Sequence, residues 1–334
     1  MNVEAFLPGD SAALFLLLGA LAVIVSAGFG ISRVPSRVAA RSLAWALVVV
    51  SVVGIDLATR SEPAGYRMVA IILALLFSMK SACGVESAHS SGTRLNPLQW
   101  LVFCVIWFGM RPVVFASFPG PSRAGVAPLL RSGLLSVASG VVLVVLAKVV
   151  WSGGETTLSD APRIVVATMF LLPGLSLLLH FGLFDLIAGA GRLLGADTAA
   201  LFRRPLQSKS LNTFWSQRWN RGFSEMTSLT VYRPLVAPCG DRIARISGFL
   251  FSGLLHELAI SVPPNAGYGL PTAYFLIQAG LLQIEARPRV RRFLQQSAFR
   301  ARVWVGGSLL LPLPILFHTP FLSQCIWPLV GIER

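Results

Sequence analysis

FLFSGLLHELAISVP, residues 249–263, sets a base and an acid, His256 and Glu257, side by side in an otherwise apolar run. Histidine is the side chain whose ordinary pKa, near 6.5, suits it to taking and returning a proton around neutrality. In a soluble core such a pair would be a hydrogen-bonded curiosity. At membrane depth an ionisable residue marks a functional site by default, facing the protein interior or a watered cavity, with an inter-helix hydrogen bond as the plainer alternative. A second group with chemical potential is Asn220, which closes the aromatic stretch FWSQRWN, residues 214–220. The His-Glu pair is not half of a zinc-protease HExxH motif, because Ile260 stands where the second histidine belongs. His89, His180 and His318 show no ligand spacing, so no metal is expected.

The elements that must carry these groups are membrane helices. Of the 334 residues, 54% are hydrophobic and 13% charged, with a mean hydropathy of +0.71, whereas soluble domains carry about 25% charged residues. Apolar stretches near 11–32, 42–58, 66–82, 97–118, 132–151, 163–188, 243–263, 268–286 and 302–323 predict an all-α integral membrane protein, a multi-span bundle of about eight or nine helices. Glu4 and Asp10 precede the first stretch where a secretory signal would be basic, so it reads as a retained helix. Cys83, Cys104, Cys239 and Cys325 form no CxxC pair and read as reduced packing residues.

The net charge of +14 is a matter of topology, not of nucleic acid. Arginines and lysines gather in residues 192–245 and 287–302, which the positive-inside rule puts in the cytoplasm, with the PPNAG turn outside. The acidic loop Glu155 to Asp160 then lies outside, and the Arg123 to Arg131 loop inside. Strict alternation would put Arg33, Arg37 and Arg41 outside, so one stretch between 42 and 118 must fail to cross. The chain reads as one membrane domain, 1–334, of an inner membrane if bacterial or an ER-type membrane if eukaryotic, with a cytoplasmic excursion over 189–242.

Within the excursion, Leu211, Trp215, Trp219, Phe223 and Met226 recur at helical spacing and predict an amphipathic helix over 211–226 at the membrane interface. Asn220 lies beside its Trp219 face, with Ser216 one turn back. His256 is 14 residues past Arg242, or about 21 Å along a helix axis, well inside the membrane. Ser252 and Gly253, one turn back, leave room beside the imidazole for a ligand. His180, in LLLHFGLFDL, is at membrane depth too and is a candidate lining residue.

FWSQRWN, followed 36 residues later by His256 in SGLLHE and then by YGLPTAYFLIQAGLLQIE, residues 268–285, resembles the wax synthase branch of the membrane-bound O-acyltransferases over roughly residues 205–290. The HE followed by SVP is also similar to the sterol and diacylglycerol O-acyltransferases. The resemblance implies an acyl-CoA:alcohol O-acyltransferase in which Asn220 and His256 hold the two catalytic positions, with no bound cofactor. Acyl-CoA would be the co-substrate, a lipophilic alcohol the acceptor and the bilayer the setting. A neutral imidazole can take the hydroxyl proton, and the Asn220 amide can donate to the oxygen that gains charge. Trp215, Arg218, Trp219, Ser252, Glu257 and His180 are expected around the substrates, and the arginines of the excursion are placed to attract the phosphates of coenzyme A. Two alternatives stay open: acetylation of a small hydroxylated metabolite by the same machinery, and a transporter whose His-Glu pair relays protons.

Overall fold

The computed structural model describes residues 4–153 and 159–332, and among them every regular element is helical. Glu155 of the expected acidic loop lies outside the described residues. Helix α1 (Ser11–Ile31) starts at Asp10, whose carboxylate accepts from Ala13 N at 2.8 Å. Helix α2 (Arg37–Ala58) starts at Ser36 in the same manner, and α3 (Ala64–Ser91) ends at Gly92 in the left-handed region. These are standard side-chain and glycine caps. After the short α4 (Pro97–Val105) come α5 (Val126–Ser152), α6 (Asp160–Leu193), α7 (Arg221–Ser261), α8 (Leu270–Glu285), α9 (Pro288–Gln295) and α10 (Ala298–Leu316). Seven of these, α1, α2, α3, α5, α6, α7 and α10, are long and apolar enough to cross a membrane. The sixteen-residue α8 is shorter, at about 24 Å.

The stretch over 97–118 holds no helix long enough to cross a membrane. Its helix stops at Val105 after nine residues, and the amide of Gln99 near its start donates to the carbonyls of Ala116 and Phe118 near its end, at 3.2 and 2.8 Å. The chain therefore folds back on itself, and the two ends of the stretch lie together. A stretch that returns to its starting side would remove the conflict in the charge pattern. Arg37 and Arg41 pair with Glu86 near the end of α3, and Arg33 donates to the Leu95 carbonyl. Arg123 N donates to Arg192 O at 2.9 Å, joining the start of α5 to the end of α6. All of these lie at the basic end of the bundle. At the opposite end, Arg67 at the start of α3 bonds Asp56 at 2.8 Å and the Pro263 carbonyl at 2.8 Å.

Helix α3 is the axis of the molecule, buried at every residue from Phe77 to Ala88. Helices α5 and α6 close on each other through glycines. A Cβ at Gly140 would stand 2.9 Å from the Gly174 carbonyl, and one at Gly182 2.6 Å from a Val137 methyl. Small residues at such crossings let backbones approach where lipid offers no hydrophobic drive.

The single interfacial helix expected over 211–226 is replaced by two helices. The first covers Leu211–Thr213 and continues as a π-helical turn, Phe214–Arg218. The backbone then leaves helical geometry at Trp219 and Asn220, and α7 begins at Arg221. Helix α7 itself is bent double at Gly240 (φ 78°, ψ 163°) behind Pro238. Its two arms lie against each other: a Cβ on Gly248 would meet the Thr227 methyl at 3.3 Å, Tyr232 donates to Asp241 at 2.7 Å, and the rings of Phe223 and His256 are 5.6 Å apart. The excursion is thus a re-entrant hairpin whose turn, Trp219–Asn220, reaches the depth of His256. The spacing of apolar residues could not reveal this, because the same 3.6-residue period runs on both sides of the break. An amphipathic surface helix does occur at α9, PRVRRFLQ, where Phe293 is 53% exposed and the Arg300 guanidinium lies 4.7 Å over its ring.

In a Cys239→Ser background, a cysteine introduced at Asn265 should react with a membrane-impermeant maleimide on intact cells, while cysteines at Arg37 and Arg291 should react only after permeabilisation. Labelling of Arg37 and Arg291 on opposite sides would show that residues 97–118 do not return to their starting side.

Candidate active site

Asn220 occupies a turn that several independent contacts hold in place. The first amides of the helix leading to it, Leu211 and Asn212, donate to the Glu285 carboxylate at 2.8 and 3.4 Å, and Trp304 Nε1 donates to the same group at 3.0 Å. A carboxylate at a helix N-terminus satisfies amides that have no partner within the helix and complements its dipole. At Asn220 the backbone adopts a left-handed φ of 39°, a region asparagine tolerates better than most residues. Its side-chain oxygen accepts from Phe223 N at 3.1 Å and caps α7. Two backbone bonds brace the turn, Arg203 N to Arg218 O at 2.8 Å and Arg221 N to Leu201 O at 2.9 Å. The capping bond uses the amide oxygen and leaves the Nδ2 donors for another partner.

His256 comes to the same depth on the second arm of α7. Its Nδ1 is 2.7 Å from the Ser252 carbonyl oxygen. A carbonyl can only accept, so Nδ1 carries the proton of the neutral ring and Nε2 keeps its lone pair. The imidazole is held by Phe275 of α8, with ring centres 4.4 Å apart, and by Phe223 at 5.6 Å. Phe223 therefore bridges the two candidate groups, its amide capped by Asn220 and its ring against His256.

The neighbours of His256 do work other than that expected of them. The Ser252 hydroxyl bonds the Gly248 carbonyl at 2.8 Å, so it is the Ser252 backbone that orients the ring. The space left by Gly253 is filled by α8, since a Cβ there would lie 2.8 Å from Thr272 Cα. Glu257 accepts from Thr272 N at 2.9 Å, capping α8 and making no hydrogen bond with the imidazole.

The aromatic residues of the motif divide between two sides. Trp215 packs on Phe275 and Phe249 at 5.7 and 5.9 Å, toward His256. Trp219 stacks on Phe214 at 5.4 Å and meets Phe202 edge-on at 5.0 Å. His180, within the π-helical turn Leu177–Leu183 of α6, joins this second group, 4.9 Å from Phe202 and 6.1 Å from Trp219. Arg218 donates to the carbonyls of Arg204 and Arg203 at 3.0 and 3.4 Å. The fold thus brings Asn220, His256, Trp215 and Glu257 together and sets His180 and Arg218 on the far side of the turn.

Residues 198–277, which contain Trp215, Asn220, His256 and Glu257, match the membrane bound O-acyl transferase family. The chain is 34% identical over 107 residues to probable long-chain-alcohol O-fatty-acyltransferase 1 of Arabidopsis thaliana, covering 29% of this chain and 30% of that protein. It is 37% identical over 73 residues to probable long-chain-alcohol O-fatty-acyltransferase 9 of the same plant, 20% and 21% of the two chains. To the long-chain-alcohol O-fatty-acyltransferase of Simmondsia chinensis it is 27% identical over 199 residues, 51% and 54% of the two chains. The matches span about half or less of these relatives' lengths.

Two cavities open beside the motif. One, of about 630 Å³, has polar and basic groups including Lys209, Arg242, Arg245 and Arg291 and an apolar floor of Phe249, Ala279 and Leu282. The other, of about 780 Å³, is lined by Asp185, Arg203, Arg204, Arg218 and Arg221 beside Phe181 and Phe202. Neither reaches His256 or Asn220, although Phe249 links the first to Trp215. The sequence reading missed three supports of the site: Glu285, whose role emerges only when α8 is packed against the motif, and the rings of Phe223 and Phe275.

Replacing Gly253 with Ala should force α7 and α8 apart. Overpacking of this kind costs about 1–3 kcal/mol, so the thermal unfolding midpoint in detergent should fall by several degrees. An unchanged midpoint would mean that the crossing at Thr272 does not bear on stability.

Proposed function

We propose that the protein is an O-acyltransferase that moves a fatty acyl group from coenzyme A to an alcohol, with chemistry at His256 and Asn220. The observation that carries the reading is the Nδ1 contact to the Ser252 carbonyl, which aims a basic Nε2 away from the helix at membrane depth. The acceptor hydroxyl would give its proton to Nε2 as its oxygen attacks the thioester carbonyl carbon. The charge that develops on the carbonyl oxygen would meet the Nδ2 donor of Asn220. Collapse would then break the carbon–sulfur bond, and the imidazolium would return the proton to the departing thiolate. The relatives' names, long-chain-alcohol O-fatty-acyltransferases, favour a long-chain alcohol as acceptor.

The basic cavity suits the donor. Lys209, Arg242 and Arg291 have no carboxylate partner among the described residues, whereas Arg245 is tied to Asp241 at 2.8 Å. Three unpaired cations at the rim fit phosphates, and the floor at Phe249 fits an acyl chain or pantetheine arm directed toward Trp215 and Phe275. The positive-inside rule puts this rim in the cytoplasm, where acyl-CoA is found. A proton-relay transporter fits less well, because Glu257 is bonded to the Thr272 amide and not to the imidazole.

Purified protein given acyl-CoA and a panel of alcohols should release free thiol and form ester. His256→Ala should lower kcat by at least ~100-fold. Asn220→Asp keeps the capping oxygen and removes the Nδ2 donor, and should lower kcat by roughly 100- to 1,000-fold with little change in donor KM. Arg242→Ala should do the reverse, raising the donor KM by roughly tenfold at constant kcat. Near-normal turnover by His256→Ala would reject the mechanism.

A further inference from the structure

Lys80 stands in the middle of α3 with its side chain wholly inaccessible. Its Nζ donates to the carbonyls of Phe103, Trp107 and Gly109 at 2.6, 2.6 and 3.0 Å, and lies 4.1 Å from the centre of the Phe103 ring. A neutral amine has two N–H groups and an ammonium three, so three carbonyl acceptors at these distances identify the charged form. No carboxylate pairs with it among the described residues. A cation held at membrane depth without a counter-charge is expensive, and such residues carry function more often than packing.

What Lys80 holds is the inner turn of the segment that folds back on itself. Helix α4 ends at Val105, leaving carbonyls with no partner in the helix. Lys80 gathers three from this turn, where no water could serve. Against the same turn rests the arm that begins at Asn220. A Cβ on Gly222 would lie 3.1 Å from Gly109 Cα and 3.2 Å from the Phe108 carbonyl. Met110 shares a buried cluster with Met226 and Leu255, and Arg111 stands 3.9 Å from the Glu225 carboxylate, which also takes Arg221 at 3.2 Å.

We infer that Lys80 is a positioning residue for Asn220. By fixing the backbone of residues 103–109, it sets the wall that determines the depth and direction at which the Asn220 amide meets the reacting oxygen. The inference rests on the reading of Asn220 as the oxyanion donor given above. Loss of Lys80 leaves His256 and the basic cavity in place, so it should act on turnover and not on donor binding.

The test is a double-mutant cycle in which acyl transfer is measured with acyl-CoA and the best accepted alcohol. Lys80→Met should lower kcat by about 100-fold, the effect of a displacement near 1 Å at a catalytic group, with the donor KM changed less than about twofold. In an Asn220→Asp background the same substitution should cost less than about twofold more, because the group it positions is already gone. Gly222→Ala presses on the same contact from the other side and should show the same coupling, which keeps the test open if Lys80→Met does not fold. Losses that multiply in full in both backgrounds, or an unchanged kcat in either single variant, would overturn the positioning role alone. Wild-type turnover by Asn220→Asp would instead overturn the reading of Asn220, and the role of Lys80 would fall with it.

Discussion

Backbone amides and carbonyls at membrane depth must find partners within the protein, and the centre of this molecule is organised around that constraint. Two segments enter the bundle from the basic end and turn back, residues 97–118 and the hairpin beginning at residue 211. Each turn breaks helical bonding where no solvent could replace it. The first is satisfied by the Lys80 ammonium. The second is satisfied by the side chain of Asn220 and by the backbone of Leu201 and Arg203. The turns meet at Gly109 and Gly222, where a Cβ on Gly222 would press on the facing backbone at 3.1 Å. A polar centre is thereby built inside an apolar fold, and His256 stands beside it.

Support for the site is accordingly distributed over elements that are distant in sequence. Glu285 at the end of α8 starts the motif helix, Glu257 starts α8, and Thr272 of α8 closes against Gly253 one turn from His256. Glu285 and Glu257 thus serve backbone amides, whereas Glu86, Asp56 and Glu225 pair with arginines. Phe275 and Phe223 then fix the imidazole, so the orientation of one ring depends on α7 and α8 together.

Much of this was legible in the sequence. The hydropathy named the membrane class, the arginine clusters named the basic end, and FWSQRWN with SGLLHE carried the resemblance to a family whose model matches residues 198–277. The charge conflict at Arg33, Arg37 and Arg41 called for one stretch that does not cross, and the bonds of Gln99 to Ala116 and Phe118 show one that folds back on itself. Periodicity failed at Asn220 because a single left-handed residue reverses the chain without altering the apolar spacing on either side. It failed also at Gly253, where the missing side chain serves a helix crossing instead of a ligand. Lys80 carried a readable signal, a lone cation within an apolar stretch, but nothing in the sequence pairs it with three carbonyls some 23 to 29 residues away.

The bend at Gly240 gives the interval between the two motifs a metric meaning. Phe223 precedes Gly240 by seventeen residues and His256 follows it by sixteen, so each arm runs about 24–26 Å from the bend. The arms act as the two legs of a divider, and equal legs are what bring their ends level. One residue added to either leg would shift its end by about 1.5 Å and swing it by about 100° around its axis. The interval of 36 residues between Asn220 and His256 is therefore a measured length, as much a part of the site as the two side chains that terminate it.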